Sequence, residues 1–230
     1  MPLDINKIIQ YNLPDHQYYS EVLRKTQIYI HHTAGNSNPL LVVDSWKQTP
    51  EKISTAFVIA GKPDKSKSYQ DGDIVQGFSS KYWSYHLGIK KEIFQSRNIE
   101  YKPLDKYSIG IELCNWGYLK KGQDGKFRTY VNSIVPEEEA IKLDTPFRRY
   151  EYWHNYTDAQ INALRDLLVY LCDKFNIPKT YNEDMWDVSN KALSGESGIW
   201  THVSVRSDKT DCYPHTKLVT MLKSLMYPQL

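Results

Sequence analysis

The sequence is poor in cysteine, with Cys114, Cys172 and Cys212 its only three among 230 residues. An odd number cannot pair fully within one chain, and no C-x-x-C spacing suggests a zinc ribbon or a redox pair, so a reducing site of synthesis is expected. A dominant charge is also missing. The formal net charge is +2 with a pI near 8.2, and no basic stripe stands out, which argues against a nucleic-acid surface. No apolar run is long enough for a membrane span, and the opening MPLDINKIIQYNLPDHQYYSEV has no basic start followed by an apolar stretch. Cytoplasmic synthesis without a secretory leader and no stable membrane association are therefore expected. Internal repeats and low-complexity linkers are absent as well, so one domain over 1–230, as a monomer, is the simplest organisation.

What is present is the composition of a packed globular chain, 40% hydrophobic and 24% charged. QIYIHHTAG, from Gln27 to Gly35, is β-rich and ends in glycine, which predicts a strand running into a loop. On that strand His31 and His32 point to opposite faces. PLLVVDSWK follows, with Pro39 at its start and Leu40, Val43 and Lys47 at helical spacing. TAFVIAG and DIVQGF, joined by the polar KPDKSKSYQDG, read as a hairpin with a long connection. SIGIELC, Ser108 to Cys114, is an apolar strand interrupted by one charge, Glu112.

Thr157 and Gln160 form a capping-box pattern ahead of the stripe Ile161, Leu164, Leu168, Leu171 and Phe175, which stops near Pro178. A terminal amphipathic helix carries Leu218, Met221, Leu222 and Leu225. Strands alternating with helices predict an α/β fold: a central mixed β-sheet flanked by helices. The stretch from 117 to 156, rich in Lys, Arg, Glu and Tyr, reads as an elaborated surface loop whose aromatics could wall a groove. The acidic run Glu137, Glu138 and Glu139 within it reads as a solvated turn or helix start.

Seven histidines are scattered along the chain, and two contexts lift individual ones above the ordinary. The first is the strand end IHHT. The second is THVSVRSDKTDCYP, Thr201 to Pro214, which gathers a His, a Lys, an Asp and a Cys. Catalytic zinc sites use three protein ligands and keep a fourth position open. His31, His202 and one of Asp211 or Cys212 would supply such a set. Glu112, set among Ile109, Ile111 and Leu113, is a carboxylate on a buried strand, a placement that calls for a metal, a cation or a catalytic duty.

Four blocks, in order, resemble the type 2 N-acetylmuramoyl-L-alanine amidase and peptidoglycan-recognition protein family: YIHHTAG, SIGIEL, YTDAQINALRDLLVYLCDKFNIP and THVSVRSDKTDCYP. The resemblance spans about Ile28 to Pro214 and implies a Zn²⁺ cofactor and a peptidoglycan or muropeptide substrate. It implies His31 and His202 as metal ligands and, two residues after Lys209, Asp211 as the third, with Cys212 its neighbouring alternative. Glu112 is implied as the acid–base residue and Lys209 as the cation beside the developing oxyanion. Two departures stand out. Thr55 and Ala56 precede Phe57 where phage relatives carry a catalytic tyrosine, whose part Glu112 would take, and the Trp-His block is altered to WSYHLG, with His86 expected to touch substrate. The implied activity is cleavage of the bond between muramic acid and L-alanine, by a phage or prophage lysin acting on the wall after release. A cytosolic wall-recycling amidase and a non-catalytic peptidoglycan-binding module are the alternatives.

Overall fold

A computed structural model describes residues 3–35, 37–63 and 68–227. The first two residues of the amino-terminal stretch, part of the polar hairpin connection and the last three residues lie outside the described residues. The strands are β1 (Ile9–Gln10), β2 (Gln27–His32), β3 (Phe57–Ile59), β4 (Ile74–Gln76), β5 (Ser108–Leu113), β6 (Tyr118–Lys121), β7 (Phe127–Arg128), β8 (Ile134–Val135), β9 (Ala140–Phe147), β10 (Tyr150–His154) and β11 (Gly198–Thr201). The α-helices are α1 (Pro39–Lys47), α2 (Lys91–Ser96), α3 (Leu104–Tyr107), α4 (Asp158–Phe175), α5 (Asn190–Leu193) and α6 (Thr216–Ser224). Among the described residues no helix is long and apolar enough to cross a membrane.

The expected mixed α/β architecture is present. Six strands form the central sheet in the order β1-β4-β3-β5-β2-β11. β3, β5, β2 and β11 run parallel to one another, while β4 turns back on β3 as the expected hairpin. All six residues of β2 are buried, as in a parallel sheet covered on both faces. The register pairs His31 with Glu112 and His32 with Leu113. Paired residues in a parallel ladder point to the same face, so His31 and Glu112 stand side by side at the carboxyl ends of their strands.

Helix α1 begins at Pro39 behind the Asn38 cap, whose side chain accepts from Leu40 N–H at 3.0 Å. α4 begins with the full capping box: Thr157 Oγ1 accepts from Gln160 N–H at 3.0 Å, and Gln160 Oε1 accepts from Thr157 N–H at 3.2 Å. It ends at Asn176 in the left-handed region, and buries Ile161, Leu164, Leu167, Leu168 and Leu171 in the core. Those leucines and isoleucine each contribute about 1.5–3 kcal/mol of apolar burial. α6 packs on α4 and buries Leu218, Met221 and Leu222.

The segment read as a surface loop is ordered differently. From Tyr118 to His154 it forms a second sheet of five antiparallel strands in the order β8-β7-β6-β10-β9. Its strands are short or exposed, and none of the eight residues of β9 is buried, so the apolar periodicity that marks a strand is missing. Leu119, Phe127 and Val135 make a small satellite core, while Trp153 anchors the sheet to the main one by stacking on Tyr213, centroids 4.4 Å apart. The acidic run becomes a single 3₁₀ turn, Glu137–Glu139, after Pro136.

Candidate metal centre and active site

β2 delivers His31 from the middle of the sheet. β11 lies beside it in parallel, pairing Thr201 with Ile30, and the chain then enters a 3₁₀ turn, His202–Ser204, that sets His202 at the same end of the sheet. The following loop folds back, with Val203 N–H donating to the Asp211 carbonyl at 3.1 Å, which returns Asp211 to its starting point. Three atoms converge as a result. His31 Nδ1 lies 3.0 Å from His202 Nδ1 and 3.1 Å from Asp211 Oδ2, and His202 Nδ1 lies 2.9 Å from the same oxygen. Cys212, the neighbouring alternative, is fully buried beside Tyr156 and is not part of this triangle.

The donor set fits a small divalent cation. Four ligands about 2.0–2.1 Å from zinc in a tetrahedron stand about 3.3 Å apart, close to the edges found here. The tautomers point the same way. His202 Nε2 lies 2.9 Å from the Leu87 carbonyl, which can only accept, so Nε2 carries the proton and the Nδ1 lone pair faces the ionised Asp211. With His31 in the same tautomer, the two lone pairs and the carboxylate would form a donor set that a cation between them holds together. Burial and the neighbouring His202 pull His31 down to about 4, so it is a neutral donor near neutral pH. Burial pushes the Asp211 carboxyl up, but its close contacts with His202 and then His31 hold it well below the usual carboxylate range.

Glu112 sits next to this triangle on β5. Its Oε2 is sealed from solvent and finds no hydrogen-bond partner among the described residues. Burial, then the charge of Asp211, push its carboxyl well above the usual range, with Lys209 acting in the opposite sense. A carboxyl oxygen sealed off without a partner costs free energy unless it has chemistry to do, and a raised pKa favours a carboxyl that can hold and give up a proton. Lys209, four residues before Tyr213, is close enough for its charge to bear on both His31 and Glu112. The hydroxyl of Thr55 donates to the Phe57 carbonyl at 2.9 Å.

The two remaining histidines of the sequence reading occupy different positions. His32 faces the α4 side of the sheet, with Nδ1 3.0 Å from Tyr156 Oη and burial holding it down at about 4. It packs against Gly117, where a Cβ would stand 2.6 Å from Nε2 and φ is +75°, so glycine is required. His86, expected at the substrate, has both ring nitrogens engaged inside the protein: Nδ1 lies 3.0 Å from His31 Nε2 and Nε2 lies 2.9 Å from Ser108 Oγ. The sequence reading missed Leu87, Asp105 and Ser108, all within the same network. One signal was available, the Gly110 inside SIGIEL, since a glycine within a strand marks a close approach. A Cβ there would stand 2.6 Å from Thr55 Cγ2 and 3.0 Å from His86 Nδ1.

Solved structures share this fold. PlyL superposes with a TM-score of 0.52 at 15% identity, covering 97% of this chain and 99% of PlyL. A mutant endolysin from Bacillus subtilis gives 0.52 at 15%, covering 98% and 99%, and the catalytic domain of XlyA gives 0.51 at 15%, covering 95% and 98%. No curated protein sequence matches significantly. The sequence profile of the N-acetylmuramoyl-L-alanine amidases does match, over residues 22–215, a span that holds the converging triad, Glu112 and Lys209. The chain belongs to the N-acetylmuramoyl-L-alanine amidase family.

Proposed function

We propose that this protein is a zinc-dependent amidase that hydrolyses the bond between N-acetylmuramic acid and L-alanine in peptidoglycan, and that it serves a phage or prophage as an endolysin. The observation that carries the reading is the triangle of His31 Nδ1, His202 Nδ1 and Asp211 Oδ2, with edges of 2.9–3.1 Å, beside the sealed and unpartnered Oε2 of Glu112. A zinc ion held by those three atoms supplies Lewis acidity, polarising the scissile carbonyl and bringing the ionisation of water toward neutral pH. Glu112 takes the proton from the attacking water and returns it to the leaving amine nitrogen of alanine. Lys209 places its ammonium charge where the carbonyl oxygen becomes negative. The complete ligand set favours an enzyme over a binding module, and the likeness to an endolysin fold supports the lytic role.

Purified sacculi provide the test. The protein should release stem peptides with free L-alanine amino termini, chelation should stop the release, and added zinc should restore it. Failure to release peptides from either sacculi or soluble muropeptides would overturn the reading. Faster turnover of soluble anhydro-sugar peptides than of sacculi would assign the enzyme to wall recycling instead.

A further inference from the structure

The outward nitrogens of both candidate histidine ligands end on one dipeptide. His31 Nε2 lies 3.0 Å from His86 Nδ1, and His202 Nε2 lies 2.9 Å from the carbonyl of Leu87, the next residue. That dipeptide is itself clamped. Asp105 Oδ1 accepts from His86 N–H at 2.8 Å and from Leu87 N–H at 2.9 Å. The far side of the His86 ring is held as well, with Nε2 2.9 Å from Ser108 Oγ, and Gly110 leaves the room the ring needs against β5.

We propose that His86 and Leu87, fixed by Asp105, act together as the positioning unit of the metal centre, setting the ring orientation and tautomer of both histidine ligands. The inference rests on the zinc-site reading above. The proton assignments form a consistent chain. His31 must present the Nδ1 lone pair to a cation, so its proton sits on Nε2 and is donated to His86 Nδ1. His86 then carries its own proton on Nε2 and donates to Ser108 Oγ. His202 donates from Nε2 to the Leu87 carbonyl, which leaves its Nδ1 free in the same way. One carboxylate therefore orients two ligands from different elements, a strand and a 3₁₀ turn, through a side chain in one case and a backbone carbonyl in the other. His86 is assigned to the ligand rather than to the substrate.

Three measurements on the full chain test this. Zinc affinity by chelator competition should weaken about 10–100-fold in His86→Ala and in Asp105→Ala, the loss typical when partners of a metal ligand are removed. Asp105→Asn should bind zinc nearly as well as wild type, because an amide oxygen still accepts both N–H groups, a rescue that a purely electrostatic role would not give. Imidazole ¹⁵N NMR of the zinc-loaded wild type should show His31 and His202 both protonated at Nε2, with a through-hydrogen-bond coupling from His31 Nε2 to His86 Nδ1. This last measurement decides the matter even if the alanine variants fail to fold. Absence of the His31 Nε2 to His86 Nδ1 coupling, or folded His86→Ala and Asp105→Ala proteins with wild-type zinc affinity, would overturn the inference while leaving the amidase reading intact. A wild-type protein that binds no zinc would remove both.

Discussion

The two sheets of this molecule are built by opposite rules. In the central sheet the parallel strands are covered on both faces, so the middles of β2 and β5 are apolar, Ile28–Ile30 and Ile109–Ile111, and the polar side chains His31, His32 and Glu112 at their carboxyl ends are there at a cost. In the second sheet the strands are antiparallel and open to solvent, and polar residues cost nothing, so Lys120, Lys121, Lys142 and Glu151 crowd it without any implied chemistry. A charged residue is thus informative in one sheet and uninformative in the other. Glu112 is a signal because of where it lies, and Glu151 is not.

Substitutions can break or sharpen that contrast. The largest effect is expected from Glu112→Gln, which should lower turnover on sacculi by about 10²–10⁴-fold, the usual contribution of a general acid–base group. The same change removes a buried carboxyl with an unpartnered oxygen, so the denaturation midpoint of the variant should stay level or rise. A fall in stability matching the fall in activity would show that Glu112 is structural.

Trp153→Ala comes next, because this fully buried ring joins the second sheet to the first. It should cost about 3–5 kcal/mol in urea denaturation. Phe127→Ala, in the satellite core of the second sheet, should cost only about 1–3 kcal/mol. Hydrogen exchange should place the Phe127→Ala loss in 118–154, leaving protection of β2 and β5 unchanged. Equal losses in both sheets would mean that the two unfold as one unit.

The smallest effect is a pH dependence away from both the site and the second sheet. His215 caps α6, accepting from Lys217 N–H through Nδ1 at 3.0 Å, and burial pulls it down to about 4. The unfolded chain, with its histidine near 6.5, therefore binds the proton first as pH falls. The stability this residue contributes is complete above about 6.5 and is lost progressively toward 4. His215→Asn keeps a capping acceptor that does not titrate, so it should make the stability profile shallower between those values, where His31 and His32 still contribute, and change stability at pH 7.5 by no more than about 1 kcal/mol. An unchanged slope in the variant would assign the acid sensitivity to other groups.

The difference between the sheets also explains what could be read from the sequence. α4 was legible at both ends because Thr157 and Gln160 form a local capping box and Pro178 follows its left-handed exit. β2 and β5 were legible because a doubly covered strand has to be apolar. The hairpin from β9 to β10 was not, since its two-residue turn is Arg148-Arg149, with both residues at positive φ, 48° and 71°, where Asn-Gly would be the expected pair. The ion pair of Arg148 with Asp187 at 2.9 Å, 39 positions away in the chain, accompanies that turn, and nothing local announces it. Gly122 and Asp124-Gly125, between β6 and β7, were the turn signals that could have identified this sheet.

By itself, the sequence determined the elements whose formation is governed by near neighbours: the capped helices, the apolar strands, and the residue types able to hold a metal. It also pointed to three short stretches as candidates for the chemistry, 31–32, Glu112 and 201–212. Tertiary structure decided the rest, because distances between remote segments have no local cause. Asp211 rather than Cys212 turns toward the histidines because the loop after His202 closes on the Asp211 carbonyl. His86 meets His31 because Asp105, 19 residues beyond it, fixes its backbone. A carbonyl such as that of Leu87 leaves no mark in the sequence at all, since every residue carries one, and only the fold determines which of them a ligand will use.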